Sequence, residues 1–503
     1  MSGLAASLDA WLQGVGGRLR QLDLTPQPQE LGRVLSLADG VALVSGLPSV
    51  RLNELLLFEA GAVGLAVQLD RDQVGCVLLG PQQGVRSGSR LRGTQTVVEV
   101  PVGEALLGRT VDPLGQPLDQ RGPIDTPHRA RIERPAPSLV DREPVTQPLL
   151  TGLTAIDAML PLGRGQRELI IGDHYTGKSA IAIDTIINQR HSDVICIYAA
   201  IGQKSSSVAA ALRAIFAHGP KERCIAVVAP ADAAAGLQWV APYAACAMAE
   251  YFMERGRHVL LVLDDLTKHA LVHRQISLLL RQPPGREAYP GDIFYLHSRL
   301  LERAAKLNSA CGGGSLTVLP IAETQAGNLA AYIPTNLISI TDGQIVLEPR
   351  LFNEQVKPAI DLSKSVSRIG GKTQLPAMRA ASERLRLDYA QFLELEVFTR
   401  FGGGVDQRSQ QAIVRGRRVR AALVQPQLQP LLAAEQVALL LALAEGLLDA
   451  IPESQVAAFR DRLRQLLPAH CPEIMAHIAA GAALTEDERA TLLQLAWGPH
   501  AGA

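Results

Sequence analysis

Gly172-Asp173-His174-Tyr175-Thr176-Gly177-Lys178-Ser179 fits the phosphate-binding pattern G-x-x-x-x-G-K-[ST] over its whole length. Arg167-Glu168-Leu169-Ile170-Ile171 before it reads as a buried strand, and Ala180 to Arg190 after it as a helix. A strand entering and a helix leaving is the context in which this pattern works. Glycine lets the backbone wrap tightly, so that amide N–H groups converge on phosphate oxygens. The positive end of the following helix adds to that field. In this reading Lys178 reaches the terminal phosphates and the Ser179 hydroxyl takes Mg2+. The expected cofactors are ATP or ADP with Mg2+.

Working outward, Val259-Leu260-Leu261-Val262-Leu263-Asp264-Asp265 is an apolar strand that ends in two aspartates. A carboxylate at such a strand end orients Mg2+, and Asp264, first off the strand, is expected to do so through water. Asp265 fits the N-cap of the helix that follows. Hydrolysis also needs a group that positions or deprotonates water. It is expected at the end of a strand beside the loop strand, here assigned to Val194–Ala200, where Gln203 stands. Glutamine can hold a water but cannot take its proton, and general-base help is worth about 10²–10⁴-fold. The residues therefore point to Mg-nucleotide binding without brisk turnover.

The chain has 503 residues, 47% of them hydrophobic and only 4% aromatic, so its cores must rest on aliphatic side chains. That length predicts more than one domain. With 49 basic and 49 acidic residues, no charge excess points to nucleic acid or an anionic membrane. Six scattered cysteines have no zinc spacing, which suggests a reducing compartment and no structural metal. The most apolar run, Val437 to Leu448, is short and carries Glu445, and a spanning helix needs about 20 apolar residues.

The fold expected is a multidomain α/β protein. Residues 1–25 hold an amphipathic helix, with Leu4, Leu8, Trp11, Leu12, Val15 and Leu19 on one face. Residues 26–100 read as a β-barrel that begins with a hairpin around Asp39-Gly40. Residues 101–376 read as the phosphate-loop domain with a parallel sheet. Its strands are Glu168–Ile171, Val194–Ala200, Cys224–Val228, Val259–Leu263 and Leu316–Pro320, with a further one over Leu337–Leu347. Residues 377–503 read as a helical bundle.

The sequence also resembles the alpha subunits of F-type ATP synthases. The matching stretches are Gly163-Arg164-Gly165-Gln166-Arg167-Glu168-Leu169, Ala182–Gln189, Leu278-Leu279-Leu280-Arg281, Pro283–Asp292 and Ile333–Gln344. The likeness runs from about residue 26 to about residue 450. It implies the same three-part fold, with a RecA-like central domain, and an alternating alpha3beta3 ring around a gamma shaft. Delta and peripheral-stalk subunits and a membrane ion-channel sector complete such a complex, without nucleic acid. The resemblance places the chain on the cytoplasmic face of a bacterial inner membrane, held there through the complex. Alpha in this family holds Mg-nucleotide at a non-catalytic site, and Gln203 falls where catalytic beta subunits carry glutamate.

Ser365-Val366-Ser367-Arg368 matches the family stretch whose arginine crosses to the neighbouring beta subunit. By that likeness Arg368 acts in trans on the partner's nucleotide, and Ser365 is needed for activity. Phe352, Pro358, Gln425 and Gln427 fall where the family lines the adenine pocket. His174-Tyr175 stands where the commoner loop has Arg-Gln, and Lys357 replaces a common arginine. These departures suggest a divergent form of the enzyme. The competing reading is a self-sufficient hexameric ring ATPase, a protein-export motor or Rho-like helicase. It would require a catalytic glutamate, and for the helicase a basic, aromatic-bearing barrel.

Overall fold

Asp39 and Gly40 both have positive φ (45° and 75°), the geometry of a tight hairpin turn whose twist matches its strands. The turn joins β1 (Leu31–Ala38) to β2 (Val41–Ser45). With β3 (Glu54–Phe58), β4 (Val63–Leu69), β5 (Val74–Leu78) and β6 (Arg90–Val97) they close a barrel in the order β1-β2-β5-β4-β3-β6. The computed structural model describes residues 30–400 and 406–498; the expected helix over 1–25 lies outside these residues. Period-2 alternation sends Val34, Ala42, Leu56, Phe58, Ala66, Cys76 and Leu91 into the barrel. Val41, Leu65 and Val77 point outward and join the core of the next domain.

That domain is a sheet that takes in β7 (Thr110–Val111), β8 (Leu169–Gly172), β9 (Ile195–Gln203) and β10 (Cys224–Pro230). Beyond them come β11 (His258–Asp264), β12 (Ser315–Glu323), β13 (Gly343–Leu347) and β14 (Val366–Ser367). Their order across the sheet is β14-β13-β8-β12-β11-β9-β10-β7. All these pairings are parallel except β13 with β14. The strands are apolar on both faces because helices cover both. Ile170, Cys196, Tyr198 and Ala200 face one core, which continues into the C-terminal helices. Leu169, Ile171, Ile195 and Ile197 face the other, beneath the barrel and the long helix Ala235–Met253.

Two sequence expectations need correction. The strand carrying Gln203 is not beside the loop strand, because β12 and β11 stand between β9 and β8. The first crossover leaves a gap that later strands fill, and sequence order does not record this. The expected strand over Leu337–Leu347 begins only at Gly343, and Tyr332–Ile340 is helical. Its β-branched residues suggested a strand, but Ile333, Leu337 and Ile340 are buried at helical spacing, and that packing overrides propensity.

In chain order, α1 (Lys178–Asn188), α2 (Leu266–Leu279), α3 (Ile293–Leu301) and α4 (Tyr332–Ile340) bear on the site and its neighbours. Among the described residues the regular elements of the C-terminal part are all helices, from Pro376–Ser382 to Glu486–Trp497. There α5 (Leu385–Arg400) packs closely on α6 (Gln407–Leu423). A Cβ on Gly416 would come within 2.0 Å of the Phe392 ring, which is fully buried. Gly416→Ala is therefore expected to destabilise this helix pair by about 1–3 kcal/mol through overpacking. An unchanged urea midpoint for the C-terminal region would count against so tight a crossing.

Candidate nucleotide-binding site

The loop 173–177 leaves β8 at the carboxyl edge of the sheet, where open α/β sheets take ligands. Gly177 sits at φ 99°, a conformation L side chains rarely adopt, and so caps α1 with its amides directed outward. Gly172 is required by close packing, since a Cβ there would meet the Leu347 carbonyl oxygen at 2.7 Å. The Asp173 carboxylate accepts from the Thr324 hydroxyl at 2.6 Å and from the Gly327 amide at 2.8 Å, which ties the loop to the end of β12. The Thr176 hydroxyl donates to the Asp173 carbonyl at 2.8 Å.

Lys178 is buried, and its ammonium donates to the carbonyls of Gly172 at 3.0 Å and Asp173 at 2.7 Å. Burial lowers its pKa, opposed by Glu323, Asp265 and Asp264. The Ser179 hydroxyl donates to Asp264 Oδ2 at 2.7 Å. The same oxygen accepts from the Tyr198 hydroxyl at 2.8 Å, and Asp264 Oδ1 accepts from the Gln203 amide at 2.7 Å. Burial pushes the Asp264 carboxyl up, against the pull of the Ser179 and Tyr198 hydrogen bonds. Asp265 caps α2, its side chain accepting from the Lys268 amide. The Lys268 ammonium bridges Gln203 Oε1 at 3.0 Å and Asp265 Oδ2 at 3.1 Å.

Lys178, Ser179, Gln203 and Asp264 thus converge, although Gln203 arrives from a strand three positions away. Sequence reasoning missed Glu323, Tyr198 and Lys268. Glu323 pairs in register with Gly172, the first loop residue, and its Oε1 lies 2.8 Å from His174 Nδ1 and 3.9 Å from Lys178 Nζ. Burial raises the Glu323 carboxyl, but the His174 hydrogen bond, Lys268 and Lys178 outweigh it and hold it below the ordinary carboxylate range. A carboxylate so held is a weak proton acceptor. The signal for it was an acid at the end of an apolar strand, the same signal that marked Asp264.

Phe352 approaches the loop, since a Cβ on Gly177 would lie 4.0 Å from its ring. The Lys357 ammonium stands 4.5 Å over that ring, and Pro358 follows it. Gln425 donates its backbone N–H to the Lys357 carbonyl at 2.8 Å. Its buried side chain is committed to the Thr154 amide and the Gly152 carbonyl, while Gln427 is exposed. Tyr175 is 82% exposed at φ 61°, its ring centroid 3.9 Å from that of His174.

Arg368 lies at the other end of the sheet. Ser367 pairs with Gly343 at the start of β13, whereas Leu347 at its end pairs with Gly172. The Arg368 guanidinium donates to the Thr341 carbonyl at 3.2 Å and the Ile338 carbonyl at 3.4 Å. Ser365 is fully buried, donating to the Asp361 carbonyl at 2.6 Å and accepting from the Val346 amide at 2.9 Å. Its hydroxyl pins β13 rather than facing outward.

Comparison with known proteins agrees with this arrangement. The beta-barrel domain of the ATP synthase alpha/beta family matches residues 28–95, its nucleotide-binding domain matches 152–367, and its C-terminal domain matches 374–497. The protein is 58% identical over 462 residues to ATP synthase subunit alpha 3 of Paraburkholderia xenovorans (strain LB400), a match covering 92% of its own length and 87% of that relative. It is 58% identical over 465 residues to ATP synthase subunit alpha 2 of Burkholderia pseudomallei (strain 1710b), covering 92% and 70%. ATP synthase subunit alpha 2 of Burkholderia thailandensis is 57% identical over 481 residues, covering 95% and 86%. With barrel, loop-bearing sheet and helical region each matched in order along the sequence, this protein belongs to the ATP synthase alpha/beta family.

Proposed function

We propose that this chain is the nucleotide-holding, non-catalytic alpha subunit of a rotary F-type ATP synthase, which makes ATP from ADP and phosphate at the expense of a transmembrane H+ or Na+ gradient. The observation that carries the non-catalytic role is Gln203. Its amide is held on Asp264 and Lys268 where a catalytic site needs a base, and Glu323, the carboxylate beside the loop, is engaged by His174. In this reading the loop amides and Lys178 hold the phosphates. Phe352, Pro358, Gln425 and Gln427 border the base.

The Ser179 hydroxyl and Asp264 carboxylate are hard oxygen donors side by side, a set that suits Mg2+ alongside nucleotide phosphates. Bound there, the ion would supply charge neutralisation for the phosphates. Ser179 and Asp264 orient it, and Tyr198 and Gln203 orient Asp264 in turn.

Arg368 is assigned to the nucleotide of a neighbouring beta subunit, since it stands at the opposite end of the sheet from its own loop. Next to Ser367 a cavity of about 640 Å³ is lined by Lys372, Arg379 and Arg386, against the single acid Glu383. That cationic face favours a polyanion arriving from outside. The gamma shaft, the delta and peripheral-stalk subunits and the ion-channel sector are the further partners in this reading. The complex would hold the chain at the cytoplasmic face of a bacterial inner membrane. No helix among the described residues is long and apolar enough to cross a membrane.

A self-sufficient motor is disfavoured by Gln203. A nucleic-acid-reading barrel is disfavoured by Phe58, the one aromatic of the barrel strands, which is buried in the barrel core. The test is equilibrium titration of the full chain with Mg-ATP while phosphate release is followed on the same sample. Saturable binding with negligible release is expected. Sustained release would overturn the non-catalytic assignment.

A further inference from the structure

The phosphate loop carries one charge balance that none of the roles above uses. On its floor and rim stand two lysines, Lys178 and Lys268, and four carboxylates, Asp173, Asp264, Asp265 and Glu323. Asp264 and Asp265 are engaged by Ser179, Tyr198, Gln203 and Lys268. The Asp173 carboxylate is spent on the Thr324 hydroxyl and the Gly327 amide. Glu323 is different. It stands directly beside Gly172, and among the described residues its ion pairs are only His174 at 2.8 Å and Lys178 at 3.9 Å. It therefore competes with a phosphate for the same ammonium unless it is engaged from the other side.

The group on that side is His174, with Tyr175 packed on its ring. The lysines are thus outnumbered by carboxylates, and the hydrogen bond between His174 Nδ1 and Glu323 Oε1 holds one of those carboxylates on the side away from the ammonium before a polyanionic ligand arrives.

We propose that His174 sets the nucleotide affinity of this loop by engaging Glu323, so that this carboxylate does not compete with phosphate for Lys178. The inference rests on the loop being a nucleotide site. A single charge several ångströms from a bound phosphate, at the effective dielectric of a protein surface, changes affinity roughly tenfold. The effect belongs to binding alone, since the proposed role of this chain includes no chemical step.

The test is the Kd of the full chain for Mg-ATP at a single pH, for the unmodified protein and for H174R, H174A, E323Q, K178A and H174A combined with E323Q. H174R, which keeps a group on Glu323, is expected to bind within a few-fold of the unmodified protein. H174A should bind roughly tenfold more weakly. In the E323Q background the difference between histidine and alanine at position 174 should vanish. Equal binding by H174A and the unmodified protein, or a histidine–alanine difference that survives E323Q, would overturn the proposal while leaving the nucleotide site intact. Equal binding by K178A and the unmodified protein, or no binding by any form, would instead overturn the nucleotide-site reading beneath it.

Discussion

Arg368→Ala is expected to leave Mg-nucleotide binding by this chain unchanged and to lower turnover of the assembled ring by about 10³–10⁵-fold, the scale on which an arginine supplied in trans acts in related phosphoryl-transfer systems. Binding should survive because Arg368 stands beside the start of β13, while the phosphate loop leaves the sheet at the other end. The fold should survive because the guanidinium makes only two long bonds, to the Ile338 and Thr341 carbonyls at the carboxyl end of α4. Such contacts contribute on the order of 1 kcal/mol each at most, with a small favourable term from the helix dipole. The guanidinium also feels the buried Glu168 carboxyl but forms no ion pair among the described residues, so it can turn toward a developing negative charge on another subunit. Lys372 and Arg379 line the neighbouring cavity and cannot substitute for it, since transition-state stabilisation depends on placement rather than net charge. Steady-state ATP hydrolysis by the reconstituted ring measures the first quantity, and nucleotide titration of the isolated protein measures the second. Ring turnover within a few-fold of normal would sink the trans assignment. Lost nucleotide binding would place Arg368 at the wrong site.

What could be read before the structure was whatever is local along the chain. The phosphate loop is eight consecutive residues, and Asp264 announces itself by ending an apolar run. The barrel hairpin was legible because Asp39-Gly40 is itself the turn. The sheet order was not legible. Nothing in the sequence says that β12 inserts between β8 and β11, so Glu323 could not be placed beside Gly172, nor Tyr198 beside Asp264. Helix α4 misled because its isoleucines favour strands in isolation, and only the packing of Ile333, Leu337 and Ile340 decides the matter. The placement of Ser365 shows the reverse case. The resemblance marked the residue as needed for activity, and the structure shows a hydroxyl buried on β13, which positions the stretch leading to Arg368.

Acid is expected to open the region around α2 and α3 well before it unfolds the rest of the sheet. His269 and His297 are both fully buried, His269 Nδ1 lying 3.3 Å from His297 Nε2, with the other His269 nitrogen on the Trp239 carbonyl. Burial pulls the His269 imidazole down from 6.5 to about 3, opposed by the Trp239 carbonyl and aided by His273. Burial, His269 and His273 hold His297 well below its ordinary value. His273 completes the cluster, taking the Trp239 indole N–H on one nitrogen and meeting Asp292 with the other. For a base whose folded pKa is depressed, the unfolded state binds the extra proton. Stability is therefore complete above the unfolded value of 6.5 and falls as pH drops below it, down to the folded value. The slope is about 1.4 kcal/mol per pH unit for each ring, so pH 5 costs about 2 kcal/mol per ring and roughly 4 kcal/mol for the pair. Amide protection in α2 and α3 should then fall roughly a thousandfold between pH 7.5 and pH 5 relative to intrinsic exchange rates. His269→Gln should remove about half of that fall on a logarithmic scale, while acid effects from carboxylates elsewhere persist in both proteins and cancel in the comparison. Identical pH profiles for the two proteins over residues 266–301 would show that the buried pair does not control this opening. The stakes are functional, because α2 is capped by Asp265, next to the carboxylate that holds Ser179. A loosened α2 would release the same strand end on which the nucleotide site is built.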